Sequence, residues 1–141
     1  MSATGADEEV IEATVRRLKS RVAFGKARSE NSIWKQRVAE ARIEIDCSRL
    51  LCLKAADLMD KAGNKAARNE ISMIKVKAPL MALKIIDDAI QSFGGMGVSQ
   101  DTPLAASWAW IRTLRFADGP DEVHNRAIAR NEFGKYAEAQ S

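Results

Sequence analysis

"WKQRVAEARIEIDCSRLLCLKAADLMDKAG", Trp34 to Gly63, decides the fold. Within it Trp34, Val38, Ala41, Ile45, Ser48, Cys52, Ala55, Met59 and Ala62 recur at intervals of alternately four and three. Those intervals put all nine on one stripe of an α-helix, the seam of a helix packed along equally long partners. Leu51 and Leu58 widen the stripe, while Glu44, Asp46, Arg49 and Lys54 fall off it. A helix over 31–62 spans roughly 48 Å, so its neighbours must be long too, and a bundle follows.

Outward from this helix the pattern stays helical. Val10, Ile11, Thr14, Val15 and Leu18 make one apolar face of a helix over 6–22, which Phe24-Gly25-Lys26 ends. Gly63 is the expected C-cap of the seam helix, with Asn64 beside it. A third helix is expected over 66–93, with two apolar stripes and Pro79 inside it, where a kink or a missing hydrogen bond is expected. Thr102-Pro103 reads as a cap and first position for a helix over 103–115. A last helix is expected over 120–139. No stretch reads as a strand. The fold class is therefore all-α, an up-down four-helix bundle with an additional C-terminal helix, in one domain.

The totals agree with a soluble globular chain. Of 141 residues 29% are charged and 46% hydrophobic, and the net charge is +3. Lysine and arginine are spread along the chain without the clustered stripe of a nucleic-acid binder. Cys47 and Cys52 sit five apart in one helix and project from different faces, a poor disulfide geometry. With a single histidine they make no ordinary zinc site. A reduced, intracellular protein is the simplest expectation. The start, "MSATGADEEV", is small and acidic and reads as neither a signal nor a transit peptide. No apolar run is long enough to cross a membrane.

Three short motifs carry possible chemistry. "ADGPDEVH", Ala117 to His124, places Asp118, Asp121 and Glu122 at a helix start. Such acids commonly cap a helix and favour the positive end of its dipole. A carboxylate covered there by an apolar wall becomes a general base near neutral pH. His124 in the first two turns reads as structural. "IQSFGGMG", Ile90 to Gly97, has three glycines in four residues, more than one helix cap requires. Glycines also let backbone approach a ligand. "SRVAFGKARS" places Arg21, Lys26 and Arg28 around a Phe-Gly break. It reads either as a solvated turn or as an arginine for a phosphate beside a phenylalanine for an aromatic ring. Trp108 and Trp110 cannot share a helix face, so one belongs to the core and the other to an interface.

Taken in order, "RVAFGK", the long helix pair, "QSFGGMGVSQDTPLA" and "RTLRFADGPDEVHNRAIAR" resemble the C-terminal helical domain of FAD-dependent acyl-CoA dehydrogenases. The resemblance runs from about Arg16 to Phe133, and "FADGPDEVH" is similar to the subgroup of family members 10 and 11. It implies α,β-dehydrogenation of an acyl-CoA thioester, with a carboxylate taking the α proton and a hydride passing to FAD. The family's base is a Glu in a Tyr-Glu-Gly-Thr motif, thirteen residues, counted inclusively, before the Arg of an Ala-Arg pair. Counting back from Arg130 reaches Asp118, followed by Gly119 at the substrate. Aspartate shortens the base by one methylene. Arg21 and Phe24 match the Arg-x-x-Phe-Gly that meets the pyrophosphate and adenine end of FAD. Gln91, Gly94 and Gly95 match the Gln-x-x-Gly-Gly that contacts FAD across a subunit interface. Pro120 replaces the family's threonine, Glu122 stands at a flavin-contacting glutamine, and Ser32 replaces another glutamine. The resemblance further implies a homo-oligomer, dimer or tetramer, and an electron-transfer flavoprotein as the usual acceptor. The family's N-terminal helical and middle β-domains are not in these residues, so the isolated chain is expected to be incomplete as an enzyme. The alternative expectation is a non-catalytic, self-associating bundle without flavin chemistry.

Overall fold

The seam helix starts where an asparagine caps it. Asn31 has extended backbone, and its side-chain oxygen accepts from the Ile33 N–H at 2.9 Å. From there a computed structural model, which describes residues 3–137, carries helix α2 from Ser32 to Phe93. Gly63 is its one residue with non-helical dihedrals, at φ 80° and ψ 172°. A left-handed φ of this kind is open to glycine at no steric cost. It divides α2 into a first arm, 32–62, and a second arm, 64–93. Ion pairs join Arg37 to Asp88 at 3.2 Å, Glu44 to Lys77, and Lys54 to Glu70 at 3.1 Å. As one partner advances the other retreats, so the arms are antiparallel and Gly63 is the tip of a helical hairpin.

Helix α1 (Ala3–Ser20) lies along this hairpin. Its Ile11 packs with Ile45 of the first arm and Met81 and Ile85 of the second. A one-turn helix α3 (Gly95–Val98) leads to α4 (Leu104–Thr113). Leu104 and Ile111 of α4 close a second cluster on Ala82, Leu83, Ile86 and Ala89. Val10 touches both clusters and makes them one core. Ile45 and Ile86 are at most 1% exposed, and burial of each stabilises the fold by roughly 2–3 kcal/mol. Helix α5 (Asp121–Ala137) then runs beside the second arm, where the Asn131 amide donates to Asn69.

Several local expectations are corrected. The segment after α1 is not purely helical or irregular. Strands β1 (Val22–Ala23) and β2 (Lys26–Ala27) form an antiparallel hairpin. Phe24 and Gly25 at its turn have φ of 54° and 78°, the paired positive values of a type I′ turn. α1 therefore ends at Ser20, two residues before the expected 22. Helical dihedrals continue through Pro79, whose ring is buried, and since proline has no N–H the expected missing hydrogen bond stands. The Thr102 hydroxyl donates to the Met96 carbonyl at 3.3 Å rather than capping α4, which starts after Pro103 and ends at Thr113. Met59 and Ala62, expected on the seam, are exposed. The expected end of the last helix, 138–139, lies outside the described residues.

Candidate functional site

Arg115 and Asp121 build the turn that carries Asp118. The Arg115 Nε donates to Asp121 Oδ2 at 2.6 Å, and the Asp121 N–H returns a bond to the Arg115 carbonyl at 3.2 Å. Lys75 of the second arm donates to the Leu114 carbonyl and ties the start of the turn to the bundle. Inside, Asp118 is forced to φ 55° and Gly119 to φ 102°. A left-handed residue with a Cβ is strained by about 1–2 kcal/mol. The chain accepts this to hold the Asp118 carboxylate outward, exposed and, among the described residues, without a hydrogen-bond partner. Asp121 is 7% exposed and serves Arg115, not free backbone N–H groups. The helix-cap reading of these acids therefore does not describe their side chains. The N–H groups of Val123 and His124 find the Pro120 carbonyl instead, at 3.0 and 3.4 Å. Glu122 points to solvent from the first turn of α5.

The Gln91–Gly97 stretch separates its glycines by task. Gly94 takes φ 67° and caps the second arm, its N–H donating to the Ile90 carbonyl at 2.9 Å. Gly97 is buried, and a Cβ there would stand 2.6 Å from the Ile90 carbonyl oxygen and 2.8 Å from its Cα. Gly95 meets neither demand. Its φ is ordinary and nothing lies within 4 Å of an added Cβ. Gln91 is exposed on the last turn before it.

Arg21 leads into the β-hairpin and Phe24 stands fully exposed at its apex. Ala23, Phe24, Lys26, Ala27, Arg28, Glu30 and Asn31 line a cavity of about 460 Å³. The Arg17 guanidinium lies 5.4 Å from the Phe93 ring, so the hairpin end of α1 and the glycine end of the second arm share one end of the bundle. Asp118 does not join them. Its turn sits at the level of Lys75, sixteen residues before Gln91, or roughly 24 Å of helix. Within one chain the site residues thus form two groups, Arg21–Phe24 with Gln91–Gly95, and Asp118–Glu122.

A larger cavity of about 740 Å³ lies between α1 and the first arm, floored by Ile11, Val15, Leu18, Trp34 and Val38. Beside it α1 carries two acids of opposite character. Asp7 is fully buried, and among the described residues neither carboxylate oxygen has a partner. Burial, and then the neighbouring Glu8 charge, raise its pKa to about 6. Glu8 is gripped by Arg42 at 2.6 and 2.8 Å and by Arg49 at 2.6 Å, hydrogen bonds that lower its pKa to about 2. Sequence reasoning passed over Asp7. Its position three and four residues before Val10 and Ile11, on the apolar face, was the available signal. Trp108 packs on the core and Trp110 is 69% exposed. Among the described residues no cluster of side chains is able to hold a metal ion, and no helix is long and apolar enough to cross a membrane.

Comparison with known proteins identifies this arrangement. The family model described as acyl-CoA dehydrogenase, C-terminal domain, matches residues 1–133. Acyl-CoA dehydrogenase family member 11 of Rattus norvegicus is 52% identical over 133 residues, covering 94% of this chain and 17% of that protein. The structure of a putative acyl-CoA dehydrogenase from Mycobacterium abscessus superposes with a TM-score of 0.92 at 48% identity, over 95% of this chain and 33% of that one. The FAD complex of PigA superposes with a TM-score of 0.85 at 26% identity, over 92% of this chain and 33% of that one. The chain spans about a third or less of the length of the curated relatives it matches. With the helical hairpin, the split glycines and the Asp118 turn all in place, the chain belongs to the acyl-CoA dehydrogenase family and carries its C-terminal domain.

Proposed function

We propose that this chain supplies the proton-abstracting carboxylate and part of the flavin site of an acyl-CoA dehydrogenase. The observation that carries this reading is Asp118. It is held out of a strained turn, exposed and, among the described residues, without a hydrogen-bond partner, whereas Asp121, three residues on, is paired with Arg115. A carboxylate so placed has free lone pairs for the α proton of an acyl thioester. Being one methylene shorter than glutamate, it depends on the backbone for its reach.

The residues present fit FAD. Lys26 and Arg28 bring positive charge to the hairpin cavity, with Arg21 at the foot of the hairpin, and such charge stabilises a pyrophosphate. Phe24 offers a bare aromatic face to an adenine. Gly95, free of any demand from the fold, gives backbone approach, and Gln91 beside it offers a donor. FAD, when bound, accepts the hydride from the β carbon. Because these groups lie far along the bundle from Asp118, we infer that one flavin meets Asp118 and Glu122 of one copy and Arg21, Phe24, Gln91, Gly94 and Gly95 of another. Exposed Trp110, Phe133 and Tyr136 favour such self-association, with an electron-transfer flavoprotein as the external acceptor. The same exposed residues support the second reading, a bundle that associates without chemistry.

The test is size-exclusion of the chain with FAD, followed by turnover of acyl-CoA with the family's remaining domains supplied. Flavin co-eluting with a dimer or larger species, and loss of turnover in Asp118→Asn, are expected. A clean oligomer without flavin, and turnover indifferent to Asp118→Asn, would establish the non-catalytic bundle.

A further inference from the structure

The turn that presents Asp118 is closed three times over. Arg115 and Asp121 exchange two hydrogen bonds, one through their side chains and one through their backbones. The third closure comes from His124. A Cβ on Gly119 would stand 3.3 Å from His124 Nε2, so the imidazole fills the place that a side chain at 119 would need. That nitrogen is shut off from solvent and, among the described residues, has no hydrogen-bond partner. The ring therefore acts here by contact, as a wedge under the turn. Asp118 at φ 55° holds a dihedral that a residue with a Cβ would leave in a free loop, while Gly119 beside it takes φ 102° without strain. Something must over-determine Asp118, and the Arg115–Asp121 pair with the His124 wedge is what touches both ends and the underside.

We propose that Arg115 is a positioning residue for Asp118, acting through Asp121, with His124 as the wedge that sets the height of the turn. The proposal rests on the reading of Asp118 as the base and deepens it. A short carboxylate gains no reach from its own side chain, so its placement is set by the backbone. The clasp fixes that backbone before any substrate arrives, which is where catalytic geometry is best established. An aspartate at 118 with Arg115, Asp121 and His124 is then one unit, and exchanging Asp118 for a longer acid without loosening the clasp displaces the carboxylate.

The experiment uses the whole chain labelled with ¹⁵N, comparing wild type with Arg115→Lys and Asp121→Asn. Lysine keeps the charge but places its donor one bond farther out. Asparagine keeps an acceptor and loses the charge. Loss of a charge-assisted hydrogen bond is expected to speed exchange of the Asp121 amide by at least about tenfold. The heteronuclear NOE of Asp118 and Gly119 should fall, and the ring signals of the chain's one histidine should shift, since His124 is its sole source. Asp121→Asn should show the same changes at smaller size, and it decides the matter if Arg115→Lys does not fold. Exchange, NOE and histidine signals all unmoved would overturn the clasp. In the FAD-loaded assembly, Arg115→Lys should lower kcat about tenfold with KM within about twofold, the pattern of a misplaced base. Full turnover in Asp118→Asn would sink the base assignment and the positioning role with it. A dead Asp118→Asn beside an unmoved turn in Arg115→Lys would leave the base standing and remove the clasp alone.

Discussion

Asp7 and Glu8 are adjacent on α1 and live in opposite surroundings. Asp7 is sealed against the helical hairpin with neither oxygen partnered among the described residues, while Glu8, one residue on, is held by Arg42 and Arg49. Ser48 of the first arm is also buried, its hydroxyl without a partner among the described residues. The heart of the α1 contact is thus a buried polar spot beside a surface ion cluster.

The first prediction concerns Asp7. Its folded pKa of about 6 stands above the model-peptide value of 3.8. A raised carboxylate pKa means that the folded state holds the proton more tightly than the unfolded one. Stability is then full below about pH 4 and falls as pH rises through 6. At about 1.36 kcal/mol per pKa unit the loss is about 3 kcal/mol. Urea unfolding from pH 4 to pH 7 should show this decline in wild type and not in Asp7→Asn. A decline of equal size in Asp7→Asn would assign the effect to another group.

Glu8 has the opposite sign. Its folded pKa of about 2 lies below the usual 4.5, so its contribution is complete above 4.5 and is lost as pH falls through 2. Glu8→Gln should flatten the acid limb between those values and lessen, without removing, the fall near pH 6, since the Glu8 charge adds to burial in raising the Asp7 pKa. Acid unfolding followed by circular dichroism checks it.

The glycines before α4 should respond in three different ways. Gly97→Ala puts a Cβ against Ile90 backbone atoms that have no room to yield, and a loss of about 1–3 kcal/mol is expected. Gly94→Ala meets open space but must hold a left-handed φ, at a cost of about 1 kcal/mol. Gly95→Ala meets neither obstacle, so its thermal unfolding should match wild type while its retention of FAD falls. Equal FAD retention in Gly95→Ala would remove that residue from the flavin site.

Asp118→Gly should trade activity for stability. Glycine adopts φ near 55° freely, and the relief of strain, less the added freedom of the unfolded chain, is worth about 0.5–1 kcal/mol. Turnover in the assembled enzyme should vanish. Destabilisation by Asp118→Gly would mean that the side chain holds the turn rather than being held by it.

The helices were legible because their signal repeats. The four-three spacing from Trp34 to Ala55 coincides with buried or half-buried positions, and Gly63 marked the turn. The spacing continues to Met59 and Ala62, where burial stops. Periodicity reports which face is apolar, and the length of the neighbours decides how much of that face is covered. The β-hairpin left no trace, since strands of two residues each show no alternation. Asp118 was found through its distance from Arg130. The partner of Asp121 was not, because an ion pair between a helix end and the next helix start depends on the path of the turn between them. Asp7 was hidden by its chemistry, an acid read as surface although its spacing placed it with Val10 and Ile11.

The unsupported tip of the helical hairpin has a consequence for how the chain breaks. Residues 59–66 are exposed without interruption, and Ala67 is the first buried residue after them. Helical segments with little packed against them open locally at low free-energy cost, and a protease cuts where backbone opens. Nicking after Lys61 or Lys65 would sever the peptide chain while the core of Ile11, Ile45, Met81 and Ile85, which spans the cut, keeps the pieces together. The domain is in this sense already two complementing fragments, joined by one dispensable loop.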